Sequence, residues 1–343
     1  MDPKSLNEFI KAQGLPAYRA GQALKVICTG ARSYEDIRVL PAELRKSLGV
    51  WRPMLSFTED ALKVSRYKEA FKARLRLADG ELIESVLMRP KPGFWSVCVS
   101  SQVGCALKCA FCATGTMGFK RNLTAEEIAD QVIYWVGRMR DFKITGSVTN
   151  IVFMGMGEPM LNFDAVKQSI DWLTHPGYFA LGRRSITVST VGIVAGMDRF
   201  TEEMPQINLA LSLHAASENL RTQLVPVNKA FPLEELILAL KRYFLKNSRK
   251  VFLEYVLLAG QNDTIKHADQ LAGFVNATGH PRLMHVNLIV WNPTKATYVP
   301  TTRDQAYVFK KHLLDLGVHV TIRKNLGQDI DGACGQLVTK SGA

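Results

Sequence analysis

The sequence predicts an α/β protein built on a parallel β-sheet, preceded by a small helical segment and a β-rich extension. Three observations carry that expectation. From about residue 96 onward, six short runs rich in Val, Ile and Leu alternate with segments of helical apolar spacing. Apolar residues make up 47% of the 343 and charged ones 22%, which is globular composition with ample material for a core. The first 90 residues lack this alternation and read as a separate start.

Taken in order, residues 1–52 read as two or three short helices with basic and polar faces, including AYRAGQALKVI and PAELRKSLG, and form a basic accessory domain. Residues 53–92 alternate apolar and polar side chains around the turn signal of Asp79 and Gly80, so they form a β-rich extension. The core occupies 93–343. Its strands are expected at 96–102, 150–155, 185–190, 208–213, 251–257 and 285–290. One helix starts at Thr124, where Thr124 and Glu127 form a capping box, and another has Pro232 as its first residue. Further helices are expected near 163–174, 192–203, 265–277 and 303–316, the last stopped by Gly317. Such units build an open sheet or a complete or partial barrel, and periodicity alone does not choose between them. In either case ligands bind at the C-terminal ends of the strands.

Charge and cysteine usage restrict the function classes. The net charge of +12 favours a polyanionic partner bound through its phosphates. The opening MDPKSLNEFIKAQG is too polar for a secretory segment, and no run of 18 apolar residues follows, so a cytoplasmic protein without membrane contact is expected. Six cysteines are too few and too unevenly spread for a secreted disulfide scaffold.

Three of the six stand together as C-A-L-K-C-A-F-C: Cys105, Cys109 and Cys112. Chance would produce that spacing in roughly two of a thousand sequences of this composition, so the cluster marks a site. Three thiolates suit a [4Fe-4S] cluster with one iron left open to a small molecule. Zinc is the alternative, but a structural zinc site wants four closed ligands, and the nearest further cysteine, Cys98, lies on the preceding strand.

The spacing, with Phe111 just before the third cysteine, resembles the radical S-adenosylmethionine (SAM) superfamily. The strings VCVSSQVGCALKCAFCATGTMGFKRNLTAEEI, NIVFMGMGEPMLN, LALSLHA, EYVLL, NLIVWNP and DIDGACGQL are similar to the RlmN/Cfr family of RNA adenine methyltransferases, over nearly the whole chain from about residue 80. The resemblance implies a partial (β/α)6 barrel, a [4Fe-4S] cluster on Cys105, Cys109 and Cys112, and two SAM molecules per turnover. It implies SAM contacts from Gly157, Glu158, Ser189, Ser212, Leu213, His214 and Asn292. Taken singly, these strand-end residues are ordinary: such a Ser more often satisfies local backbone, and a lone His is more often structural.

The resemblance also assigns catalysis. Cys334 would carry a methyl group, Glu84 would serve as general base, and Cys98 would attack Cys334 to leave a disulfide. On residue type alone, Glu84 reads as a solvent-facing strand carboxylate and Cys98 as a buried apolar thiol. Cys334, between Gly332 and Gly335, belongs on a mobile polar loop, and Cys28 is structural. The implied substrate is an adenine of 23S rRNA, methylated at carbon 2, with tRNA beside the anticodon as a second one. A flavodoxin-like electron donor and a monomer are expected with it. The rivals are a Cfr-type carbon-8 enzyme giving antibiotic resistance and a non-catalytic iron-sulfur RNA-binding protein. The basic N-terminal domain is expected to hold folded RNA through phosphate and shape contacts.

Overall fold

The computed structural model describes residues 1–338. Short amphipathic runs open the chain as helices α1 (Pro3–Ala12), α2 (Tyr18–Cys28) and α3 (Ala42–Trp51). The alternating stretch that follows forms β1 (Phe57–Val64), β2 (Ala70–Leu77) and β3 (Leu82–Lys91), an antiparallel meander whose second turn holds Asp79 and Gly80. The core then runs through β4 (Phe94–Cys98), the hairpin strands β5 (Gln102–Gly104) and β6 (Phe119–Asn122), and α4 (Ala125–Asp141). It continues with β7 (Ser147–Phe153), α5 (Phe163–Thr174), β8 (Ile186–Thr190), α6 (Val194–Glu203), β9 (Asn208–Ser212) and α7 (Glu218–Leu224). The last elements are α8 (Leu233–Lys246), β10 (Val251–Leu257), α9 (Ile265–Ala277), β11 (Met284–Val290), α10 (Arg303–Asp315) and β12 (Val320–Ile322). No helix among the described residues is long and apolar enough to cross a membrane.

Ten of these strands share one sheet in the order β1-β2-β3-β4-β7-β8-β9-β10-β11-β12. From β4 to β12 every neighbour is parallel, with helices as the crossovers. The extension is therefore continuous with the core sheet, because β3 pairs antiparallel with β4. The two edge strands, β1 and β12, do not pair with each other. Instead the segment after β12 crosses toward the β1–β2 turn, where Asp331 meets Lys63 at 3.3 Å, Asp329 accepts the Arg66 N–H at 2.8 Å, and Lys324 meets Glu69 at 3.0 Å. The arrangement is a partial barrel whose lateral gap is spanned by its own C-terminal segment.

Several expectations shift. The first core strand ends at Cys98 rather than 102, because the chain turns there into the β5–β6 hairpin. Pro232 is the N-cap, with ψ 167° outside helical space, and Leu233 is the first helical residue. The Thr124–Glu127 capping box is present. Four elements escape the sequence reading: the hairpin strands β5 and β6, the seven-residue helix α7, and β12, a three-residue strand; all are below the length that periodicity reveals.

The N-terminal helices have no core of their own. Leu6, Ile10 and Ile27 are fully buried in the same cluster as Trp135 of α4 and Ile170 of α5. Met1 seals this contact: its α-amino group ion-pairs with the buried Asp130, and its carbonyl accepts the Tyr178 hydroxyl at 3.1 Å. Removing residues 1–50 would expose that shared core, so it would not isolate a contribution to RNA binding. Cys28, at the end of α2, is half-buried, and burial pushes its thiol up to about 12.

Candidate active site

The three-cysteine loop is the excursion of the β5–β6 hairpin. Its neck is closed by the Cys105 N–H donating to the Gly118 carbonyl at 2.9 Å. Gly104 is required at this neck, because its φ is +73° and a Cβ there would lie 1.9 Å from the Gly118 oxygen. Within the loop the Cys112 N–H donates to the Cys109 carbonyl, and the Ala110 N–H reaches the Leu224 carbonyl of α7. Cys105, Cys109 and Cys112 line one cavity of about 150 Å³ at the C-terminal ends of the core strands. Burial pushes the Cys105 thiol up to about 11 and that of Cys109 higher still.

Strand-end residues form the facing wall. Glu158 is buried and braces two loops, its Oε1 accepting the Met160 N–H at 3.1 Å and its Oε2 the Val191 N–H at 3.0 Å. Desolvation raises its carboxyl to about 7, against the opposing pull of those bonds. Thr190 adds a side-chain hydrogen bond, so three of the four lone pairs of the carboxylate are engaged and one is left for a ligand amine. Ser189 and Ser212 share a hydrogen bond at 3.1 Å between their hydroxyls and line the cavity.

His214 is buried in the left-handed region at φ 60°, its Nδ1 accepting the Val256 N–H at 3.2 Å and its ring edge-on to Phe111 at 4.6 Å. Desolvation, helped by Arg221, lowers it to about 3, so it is a neutral imidazole. Phe111 is therefore a packing residue that seats the cysteine loop on β9. The Trp291 indole reinforces this by donating to the Phe111 carbonyl at 3.1 Å.

Two assignments change character. Leu213 is fully buried and is not among the residues lining the cavity. Its carbonyl already accepts from the Ala215 N–H at 2.8 Å and from Arg221 Nε at 3.2 Å, so both lone pairs are taken. Gly157 lines the cavity, yet its lack of a side chain answers to packing: at φ +100° a Cβ would stand 2.5 Å from Gln102 Cβ. Asn292 Nδ2 donates to the Cys334 carbonyl at 3.1 Å, while its Oδ1 is buried without a partner.

Cys334 lines the same cavity as the three cysteines. The loop that carries it is pinned rather than loose. The Ala113 N–H donates to the Gly335 carbonyl at 2.8 Å, the Thr114 hydroxyl to the Leu337 carbonyl at 2.6 Å, and the Val338 N–H to Glu84 Oε2 at 3.0 Å. Cys98, buried at the end of β4, feels Cys334 electrostatically, and burial pushes its thiol up to about 12. Arg323 stands beside both sulfurs, pulling them the other way, and is bonded to Glu254 at 3.1 Å.

Glu84 is not solvent-facing. It is 4% exposed and ion-paired with Lys72 Nζ at 3.0 Å. Burial raises its carboxyl, and Lys72 opposes the rise. The pair lines a second cavity of about 500 Å³ that reaches Cys112, with Lys63, Arg74 and Lys295 on its walls. The sequence reading missed Lys72, Arg323, Glu254 and Arg221. Arg221, fully buried, ties the loops after β8 and β9 through the Val191 and Leu213 carbonyls. Glu254 opens the EYVLL string, but nothing there marks it as a site residue; Lys72, Arg323 and Arg221 lie outside the quoted strings, and only the fold brings the four to the site.

The donor set fits an iron-sulfur cluster with SAM. Among the described residues no three His, Cys, Asp or Glu side chains converge as a single ion requires. The three thiols instead stand around one cavity, as separate irons of a cluster demand. Asn292, like Leu213, is not among the residues lining the cysteine-ringed cavity.

Residues 99–272 match the model of the radical SAM superfamily. The chain is 41% identical to the "Probable dual-specificity RNA methyltransferase RlmN" of Chloroflexus aurantiacus, over 97% of this chain and 90% of that one. It is 39% identical to the "Ribosomal RNA large subunit methyltransferase Cfr" of Clostridium botulinum, over 97% and 95%. A crystal structure of a radical SAM methyltransferase from Sphaerobacter thermophilus superposes with TM-score 0.90 at 40% identity, covering 98% of this chain and 97% of the other. With the cysteine loop, the partial barrel and these likenesses in agreement, the chain belongs to the RlmN/Cfr family of radical SAM RNA methyltransferases, whose cofactors are a [4Fe-4S] cluster and SAM.

Proposed function

We propose that the protein methylates carbon 2 of an adenine in 23S rRNA, and an adenine beside the anticodon of tRNA, through a methyl group carried on Cys334. The observation that carries this reading is that the C-terminal segment delivers Cys334 to the cavity ringed by Cys105, Cys109 and Cys112. RlmN relatives match at 41% and 42% identity and Cfr relatives at 37–39%, so the likeness is common to both branches and the product carbon is decided by the experiment below.

Carbon 2 of adenine lies between two ring nitrogens and is too electron-poor to attack a methyl donor. A thiolate has no such handicap, so Cys334 takes the methyl group by displacement. Cys105, Cys109 and Cys112 would hold the cluster, which when bound would supply the electron, drawn from a flavodoxin-like donor, that cleaves a second SAM to a hydrogen-abstracting radical. The S-methyl group of Cys334, stripped of a hydrogen, adds to the ring carbon and links protein to RNA. Release requires loss of one electron, returned to the same one-electron redox partner that supplied it, and of the ring proton. Glu84, paired with Lys72, accepts that proton; Cys98, as its thiolate, attacks the Cys334 sulfur, and the methylene carbon leaves with the bonding pair and takes up a proton, giving the methylated base and a disulfide.

Incubating the anaerobically reconstituted enzyme with SAM, reductant and unmethylated rRNA fragment should give adenosine methylated at carbon 2, identified by mass spectrometry of the nucleosides. A carbon-8 product would move the protein to the Cfr branch, and SAM cleavage without methyladenosine would overturn the substrate.

RNA approaches through the larger cavity. The target base must be splayed out to reach Cys334, and Lys63, Arg74 and Lys295 offer its phosphates cations at the mouth. Helices α1–α3 contribute no lining residue to either cavity. Replacing these three cations with alanine is expected to weaken RNA binding at every sequence. Each lost phosphate contact should reduce the slope of log affinity against log salt by about 0.7–0.9. SAM cleavage without RNA should be unchanged.

A further inference from the structure

The lumen of a parallel barrel is usually filled by bulky branched side chains. Here its lower part is open. Side chains alternate along a strand, so Ser96 and Cys98 of β4 share a face, as do Asn150 and Val152 of β7. Their register sets Ser96 beside Asn150 and Cys98 beside Val152. The lower of these two rungs is small and polar, and a cavity of about 390 Å³ lies against it, bounded also by Ile289 and the segment 323–326. That is the volume of a small-molecule site.

This cavity reaches Cys334, which also lines the cysteine-ringed cavity, so Cys334 stands in the wall between the two. Cys98 lies one rung above Ser96 on the same face. Asn150 and Lys324 are exposed at its edge, which opens it to solvent. Its charged lining residues are Arg323 and Lys324, both cationic, although each has a carboxylate partner in Glu254 and Glu69.

We propose that this lower cavity admits a small-molecule thiol that reduces the Cys98–Cys334 disulfide between turnovers, an inference that rests on the disulfide-forming roles proposed above. The incoming thiolate attacks the Cys334 sulfur, forming a mixed disulfide, and Cys98 leaves as a thiolate and takes up a proton. A second thiol displaces the first from Cys334. Two thiols are oxidised to one disulfide, and the two electrons they lose restore both cysteines. Arg323, beside both sulfurs, favours the leaving thiolate.

The test uses Asn150→Trp, which plugs the edge, and Asn150→Ala, which leaves it open; Asn150 is exposed and its side chain bonds the Ser185 carbonyl. Holoenzyme is taken through a single turnover, then reduced with glutathione, and the free cysteines are counted by alkylation and mass spectrometry. Disulfide reduction in Asn150→Trp should slow at least about tenfold, with Asn150→Ala and the first-turnover yield of both variants matching the unsubstituted enzyme. Reduction at an unchanged rate in Asn150→Trp would overturn the port and leave the proposed chemistry standing. Loss of the first turnover in Asn150→Trp would also overturn it, by assigning the cavity to the RNA path. Absence of any Cys98–Cys334 disulfide in the unsubstituted enzyme would instead remove the underlying reading, and the port with it.

Discussion

Cys334→Ala is expected to reduce RNA methylation to background while SAM cleavage by the reconstituted enzyme persists. The substitution removes a thiol but keeps the backbone bonds that hold the loop, since Asn292 bonds the Cys334 carbonyl and Ala113 that of Gly335. The cluster-forming cysteines and the strand-end wall are untouched, so the radical source should survive. Cys98→Ala should behave differently. With the carrier intact and the resolving thiol gone, chemistry halts at the covalent adduct, visible as a protein-RNA species on a denaturing gel. Methylation by Cys334→Ala at the normal rate would sink the carrier role, whereas RNA binding without methylation by the unsubstituted protein would favour a cluster-bearing RNA-binding protein.

Lys72→Met is expected to lower methylation at neutral pH and to make it recover as pH rises. Burial already lifts the Glu84 carboxyl above the ordinary carboxylate range, and Lys72, 3.0 Å away, holds it down. Without the ammonium the carboxyl rises further and loses the ionised form that a base needs. Each unit by which it exceeds the assay pH costs about tenfold in ionised Glu84. The acid limb of the pH profile for adduct resolution should therefore move to higher pH. Lys72→Arg should restore much of it, whereas a structural role for Lys72 would leave the limb in place.

Stability follows with a defined sign. A carboxyl whose folded pKa lies above its unfolded value binds its proton more tightly when folded, so its favourable contribution is present below the unfolded pKa. That contribution is lost as pH rises through the folded pKa. Relative to the unsubstituted chain, Lys72→Met should thus lose more thermal stability at pH 8 than at pH 5. The double variant Lys72→Met, Glu84→Gln should flatten that difference, because no buried charge is left unpaired.

Much of this molecule is legible along the chain. Six apolar runs rich in Val, Ile and Leu, each short and flanked by helical periods, read as a parallel sheet under helices, and they become β4 and β7–β11 within a few residues of expectation. The spacing of Cys105, Cys109 and Cys112 is likewise a local property, because one hairpin excursion holds all three. The charge of Glu84 was visible, but its burial was not. Lys72, opposite Val86 on the neighbouring strand, reaches it diagonally, and cross-strand register is a pairing choice that a single strand does not encode.

The same limit applies at longer range. That Cys334 meets a cavity made by residues 105–214 depends on β12 docking beside β11 and on the last segment crossing to the cysteine loop and to Glu84. These contacts span more than two hundred residues and are made largely by backbone groups, which carry no mark of residue type. The sequence alone determined the layers of the sheet and the spacing of the three clustered cysteines. Only the tertiary structure decided which charges, thiols and cavities stand together, because that choice is made by packing and pairing between distant segments.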